Sequence, residues 1–203
     1  MNDITDPAAL RAHFGPISAL AEKKTLPKLD AHCRAFIALA PFAVLATTDG
    51  KGGVDASPRG DAPGFVAVLD DHTLLLPDRP GNRRVDSFSN ILANPGIGLL
   101  FFVPGISETV RVNGRARVIT DADLLKGVQA QGKIPTTGLL ITVEEAFFHC
   151  GKALIRSKLW DPTTQIERKT FPTLGQVIAD QLGGIDVKAA DANIDESYRD
   201  RLY

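Results

Sequence analysis

The segment Asp78–Arg84, "DRPGNRR", sets two consecutive arginines, Arg83 and Arg84, behind a tight Asp-Arg-Pro-Gly turn and next to Asn82. A strand-like run, "TLLLP", leads into it, and an amphipathic run with Val85, Phe88 and Leu92 on one face leads out. Asn82 is therefore placed to cap a helix over Asn82–Asn94, with both arginines in its first turn. Arginine is unfavourable there, because its charge faces the positive end of the helix dipole. A dianionic phosphate relieves that repulsion and accepts bidentate hydrogen bonds from guanidinium and amide groups. A solvated basic turn balanced by Asp78 and Asp86 fits the same residues, and the segment alone supports both readings.

Other stretches invite chemistry and mostly fail its requirements. "KGGVDASPRG", from Lys51, resembles a phosphate-binding loop, but that motif needs Lys-Ser/Thr opening a helix, and Pro58 opposes a helix here. Asp49-Gly50 and Gly52-Gly53 instead mark a turn between "FAVLATT" and "VDAS". The "RGD" at Arg59–Asp61 is a three-letter match with no export signal before it. Cys33 and Cys150 each follow a histidine, but neighbouring residues point to different faces, so two buried reduced thiols are expected rather than a zinc site. His72 lies in a polar turn and His149 ends a strand, both in structural positions. In "CGKALIRSKLW", Lys152, Arg156 and Trp160 recur every four residues and share a face in either a helix or a strand. That face is either a solvated cationic stripe with Trp160 in the core, or a cationic surface with an aromatic end.

The elements that must position these residues are largely strands. Phe42–Thr48, Gly64–Asp70, Thr73–Pro77, Ile97–Val103, Glu108–Thr120 and Leu139–His149 are short β-branched or aromatic runs separated by turn residues. Helical patterns over Asn82–Asn94 and after Asp121 interrupt them without the regular alternation of a parallel sheet, so an antiparallel barrel is expected. Within "VRVNGRARV" the alternation passes through Asn113-Gly114 without losing phase, which favours one strand with a glycine bulge over a hairpin turn. Asp30 is placed to cap "AHCRAFIALA", Thr173 and Gln176 form a capping box, and Gly183 stands at a helix C-terminus. The reading is a single domain over 1–203: an N-terminal helical segment over 1–40, a barrel over 41–150 and a C-terminal helical segment over 151–203.

Composition narrows the function classes. The 203 residues are 44% hydrophobic and 23% charged, enough for one core, and the net charge of -1 gives no overall field for nucleic acid or an acidic membrane. "IGLLFFV", the longest apolar run, is too short to span a bilayer, and the first residues lack a leader pattern. A cytoplasmic protein is expected.

The ordered set "SPRGDAPGFVAV", "TLLLP", "DRPGNRR", "NILANPGIGLLFF" and "ETVRVNGRARV" resembles the pyridoxamine 5'-phosphate oxidase-like flavin-binding split barrels, over about Pro41 to Thr120, and "FFHCGKALIRSKLW" suggests one subgroup. The resemblance implies a mainly β fold: a six-stranded antiparallel split β-barrel with flanking helices, a homodimer, and FMN at the dimer interface. By the same resemblance Arg83 and Arg84 fall on the pair that holds the FMN phosphate, Asn82 on a small polar residue beside it, and Arg59 near a further phosphate-side arginine, with "GDAP" as an insertion. Asp78 takes a turn position lining the flavin, and Thr109 the place of a glutamine facing its ring. Lys152, Arg156, Ser157 and Trp160 lie in the segment that reaches the flavin of the other subunit. The function implied is an FMN-dependent oxidoreductase acting on an unidentified small molecule. A non-catalytic flavin or haem binder or sensor is the alternative. Pyridoxamine phosphate oxidation itself is not expected, since the residues from Gly183 to Tyr203 include no tryptophan or histidine.

Overall fold

In the computed structural model, which describes residues 3–203, seven strands form one antiparallel sheet. They are β1 Phe42–Thr48, β2 Val54–Gly60, β3 Ala67–Asp70, β4 Thr73–Pro77, β5 Gly96–Phe102, β6 Thr109–Ile119 and β7 Gly138–His149. The order is β2-β1-β5-β6-β7-β4-β3, so β2 and β3 are free edges and the barrel is split rather than closed. One strand more than the six expected is present. It is β2, whose sequence "VDASPRG" sets a small, exposed apolar face of Val54, Ala56 and Pro58 against the polar Asp55, Ser57 and Arg59. A strand without one amide donor is tolerated at a sheet edge, which is where β2 lies.

The pleat sends alternate residues to opposite sides. On the inner side Leu45, Leu99, Phe101, Val110, Val112, Leu74 and Ile141 are buried in one cluster with Cys33, Phe36 and Ile37. The last three lie on α3 (Ala31–Leu39), which follows α1 (Pro7–Phe14) and α2 (Ala19–Lys23). Asp30 caps α3 as expected, its carboxylate accepting from Cys33 N at 2.7 Å. Cys150, by contrast, is exposed, so only Cys33 fits the expectation of buried thiols. Its backbone leaves the sheet at the end of β7, beyond the core.

The Asp49 turn also forms. Its carboxylate accepts from Lys51 N and Gly53 N, and β1 and β2 pair on either side of it. Asn113-Gly114 lies inside the continuous strand β6 rather than in a hairpin turn, and the pairing shifts there so that Glu144 of β7 is the extra residue. Gly114 is required at that point, because a Cβ on it would collide with the carbonyl oxygen of Thr142.

The remaining helices are α4 (Asp86–Ala93), α5 (Ala122–Lys126), α6 (Lys152–Ser157), α7 (Leu174–Leu182) and α8 (Val187–Asp200). Helix α4 lies along β1, where Asn90 donates to the Thr47 hydroxyl at 3.0 Å, and buries Ile91. Asp121 caps α5 and Thr173 caps α7, while the Gln176 side chain binds Asp180 instead of completing a reciprocal box. Among the described residues no helix is long and apolar enough to cross a membrane.

Candidate functional site

Beside β2 and the start of α4 lies a cleft of about 1370 Å³. Three parts of the chain build its cationic end. The first is the inner side of β2, where strand alternation aligns Asp55, Ser57 and Arg59. The second is the loop from Asp78 to Val85, and the third is Ser87 in the first turn of α4. Ser87 is buried and links the first part to the third: its hydroxyl donates to Asp55 at 2.7 Å and accepts from the Arg59 guanidinium at 3.2 Å. Arg59 is thereby fixed at the cleft by a neutral partner, which leaves its charge uncompensated by that contact.

The loop differs from the expected helix start. Helix α4 begins at Asp86, with Val85 at its N-cap and no side-chain cap, so Arg83 and Arg84 precede the helix instead of forming its first turn. Asn82 does not cap it. Its side-chain oxygen accepts from Arg84 N at 3.1 Å, a local turn that competes with helix initiation. Asp86 takes the first helical position, where a carboxylate is favoured by the dipole, and receives the Arg84 guanidinium at 2.8 Å. Arg83 and Val85 adopt φ of 58° and 53°. Left-handed backbone is costly for a β-branched residue such as Val85 and persists where the surroundings impose it, a condition that gathers at binding sites.

Asp78 is half-buried in the cleft wall. Burial raises its pKa above the usual carboxylate value, although the Arg59 charge and the Arg79 amide and charge pull the other way. Arg79 turns back to the barrel, donating to Asp61 at 2.6 Å and to the Val128 carbonyl at 3.0 Å. With its side chain only 3% exposed, Asp61 is not a presented part of an adhesion motif. The far wall of the cleft is formed by Lys133–Thr136 and by residues from Ser197 to Tyr203.

Of the residues singled out from the sequence, Arg59, Asp78, Asn82, Arg83 and Arg84 line this cleft together. Thr109, Lys152, Arg156, Ser157 and Trp160 do not. Thr109 is buried opposite His149, at the end of β7, whereas the cleft loop joins the start of that strand through Asp78 N and the Thr137 carbonyl. Lys152 and Arg156 are exposed on α6, and the Ser157 hydroxyl donates to the Leu154 carbonyl. Trp160 lies past the end of α6 and donates its indole N–H to the Ile106 carbonyl at 2.8 Å. Asp55, Ser87, Arg79, Lys133 and Tyr203 were not singled out, and Asp61 only as the last residue of the adhesion-like match. The alternation of Asp55 and Arg59 in "VDASPRG" is a usable signal for the first, but nothing in the sequence links Tyr203 to Asp61, 142 residues away.

An antiparallel split barrel with a cationic cleft beside one edge defines the class of protein. The chain belongs to the pyridoxamine 5'-phosphate oxidase family, whose model matches residues 29–150. Among solved structures it is similar to HupZ of Group A Streptococcus, at 21% identity over 59% of this chain and 93% of that one, TM-score 0.49. It is similar also to a protein of Lactobacillus delbrueckii proposed to be a pyridoxamine 5'-phosphate oxidase, at 26% identity over 60% and 95%, TM-score 0.47. An FMN-binding protein of Syntrophomonas wolfei is similar at 11% identity over 58% and 83%, TM-score 0.46. No curated protein matches the chain.

Proposed function

We propose that this protein binds FMN in the cleft beside β2 and acts as an FMN-dependent oxidoreductase on a small molecule. The observation that carries the reading is the convergence of Arg59, from β2, with Arg83 and Arg84, from the strained loop before α4, on one cleft. Three guanidiniums with the adjoining loop amides suit a phosphate dianion, which accepts charge-assisted bonds from several directions. Membership of a family named for a phosphate-bearing substrate points the same way. The cleft residues fit FMN in charge and in space. Arg59, Arg83 and Arg84 hold the phosphate, Asn82 shapes the loop, and Asp78 lines the ring side. Bound there, the flavin supplies hydride or electron transfer. The chain's own residues bind and orient it, and the wall from Ser197 to Tyr203 excludes water.

The active form in this reading is a homodimer. On the outer side of the sheet, opposite the core residues, Phe42, Val44, Leu100 and Phe102 lie side by side, with the Phe42 and Phe102 rings 6.0 Å apart and Phe42 40% exposed. A contiguous apolar patch of this kind suits a second copy. Thr109, Lys152, Arg156, Ser157 and Trp160 then approach the cleft of the other subunit.

The test is spectroscopic. Purified protein, or apo-protein reconstituted with FMN, is expected to be yellow and to retain flavin on gel filtration, and a colourless protein that takes up no FMN overturns the assignment. Anaerobic mixing with NADH or NADPH then separates enzyme from binder. Bleaching at catalytic rates supports the oxidoreductase, and colour that persists across reductants and substrates supports a flavin store or sensor.

A further inference from the structure

The wall of the cleft from Ser197 to Tyr203 is attached to the barrel in an unusual way. It is the last turn of α8 with the three residues after it, and α8 folds back on α7 at Gly183-Gly184, the two helices holding each other through Asp191, whose carboxylate accepts from the Thr173 hydroxyl at 2.7 Å and Gly175 N at 2.9 Å. No residue of α8 is buried, and Tyr198 and Leu202 are 60% and 57% exposed. Among the described residues, the hydrogen bonds joining this helical hairpin to the barrel are two, and both involve Tyr203. Its hydroxyl donates to Asp61 Oδ1 at 2.6 Å, and its main-chain oxygen accepts from Lys133 Nζ at 2.6 Å. Asp61 also holds Arg79, at the start of the cationic loop, through its other oxygen.

We propose that Ser197–Tyr203 is a strap that closes over the cleft, with Tyr203 as its latch on Asp61 and Lys133, and that ligand enters and leaves when the latch opens. Segments that bury little apolar surface and hold on by a few polar contacts open at low free energy, which suits a lid. The strap walls the cleft without filling it, since about 1370 Å³ remains. It therefore closes over a bound molecule instead of competing with it. Because one carboxylate serves both the latch and Arg79, the strap and the cationic loop share an anchor. Arg201 donates to the Asn193 carbonyl at 3.3 Å, which holds the strap against the preceding turns of α8 and is released as the strap frays open.

The identity of the occupant rests on the FMN reading above, but the latch is testable without it. Tyr203→Phe removes one hydrogen bond to a charged acceptor and leaves the ring. In the apo-protein, amide exchange over residues 196–203 is expected to quicken about tenfold while the barrel strands stay protected. With FMN, association and dissociation measured by fluorescence quenching are both expected to quicken. Lys133→Met is expected to act in the same direction. Unchanged exchange in both variants overturns the strap. Faster exchange with unchanged FMN rates overturns its role as a gate. A wild-type protein that takes up no FMN overturns the flavin reading instead, and the exchange result then decides the latch alone.

Discussion

The guanidinium of Arg79 meets the carboxylate of Asp61 at 2.6 Å and joins two ends of a sheet that strand pairing leaves open. Asp61 follows β2 at one edge and Arg79 follows β4 beside the other, with side chains 3% and 18% exposed. A pair this buried stabilises mainly by not being broken, because removing one partner strands the other charge. Asp61→Asn is expected to cost about 3 kcal/mol in urea unfolding. Adding Arg79→Met should recover part of that loss by removing the stranded charge. A double variant no more stable than the single one would show that Arg79 contributes through its bond to Val128 instead.

The same carboxylate gives a pH dependence with a definite sign. Burial alone would raise its pKa, but bonds from the Tyr203 hydroxyl, Ala62 N and Arg79 outweigh it and hold the group below its ordinary 3.8. A depressed pKa means stability present above 3.8 and lost as pH falls through the folded value. The stability gap between wild type and Asp61→Asn, measured by urea unfolding at a series of pH values, is therefore expected to narrow below about pH 4. A gap that widens on acidification would contradict this assignment.

Thiol chemistry distinguishes the two cysteines. Cys33 is buried in the core on α3, and its pKa is pushed up to about 11 by burial and by the neighbouring Asp30. Cys150 is exposed. A disulfide reagent such as DTNB is expected to titrate one thiol rapidly in native protein and the second only after denaturation. In Cys150→Ser the rapid phase should disappear.

Much of the barrel was legible because inner strand residues such as Leu45, Leu99 and Ile141 alternate with outer ones, and turns such as Asp49–Gly53 announce themselves. β2 was read only as "VDAS" after a turn, because its apolar residues Val54, Ala56 and Pro58 are small or exposed, its inner face is polar toward the cleft, and Pro58 reads as a breaker. The arginine loop was legible as a basic cluster, but its backbone was not. Whether Asn82 caps a helix or bonds Arg84 N is decided by the position of α4 on β1, and no local propensity reports that position. Contacts such as Tyr203 to Asp61 depend on where distant segments meet, which single-chain patterns do not encode.

For the cofactor, Arg83→Ala is expected to weaken FMN binding by about 2 kcal/mol, roughly thirtyfold in Kd, because a phosphate dianion is held mainly by charge-assisted bonds. The thermal unfolding midpoint of the apo-protein should not fall, since the side chain is exposed and buries nothing in the core. Fluorescence titration with FMN measures the first and calorimetry the second. Unchanged affinity would remove Arg83 from the site.

The last expectation concerns the residues that one chain keeps away from its own cleft. In the dimer reading, Arg156 of one subunit meets the flavin held by Arg84 of the other, so each site draws on both chains. Arg84→Ala and Arg156→Ala homodimers should each bind FMN weakly. In a mixed dimer, one site then carries both lesions and the other neither. Mixing is therefore expected to restore tight binding in about half the sites of the mixed dimers, by symmetry, and to stabilise dimer over monomer as FMN is added. Verified mixed dimers without recovery would mean that each chain completes its site alone. Lys152 and Arg156 would then be a solvated stripe, and Trp160 an anchor for the Ile106 loop through its bond to that carbonyl.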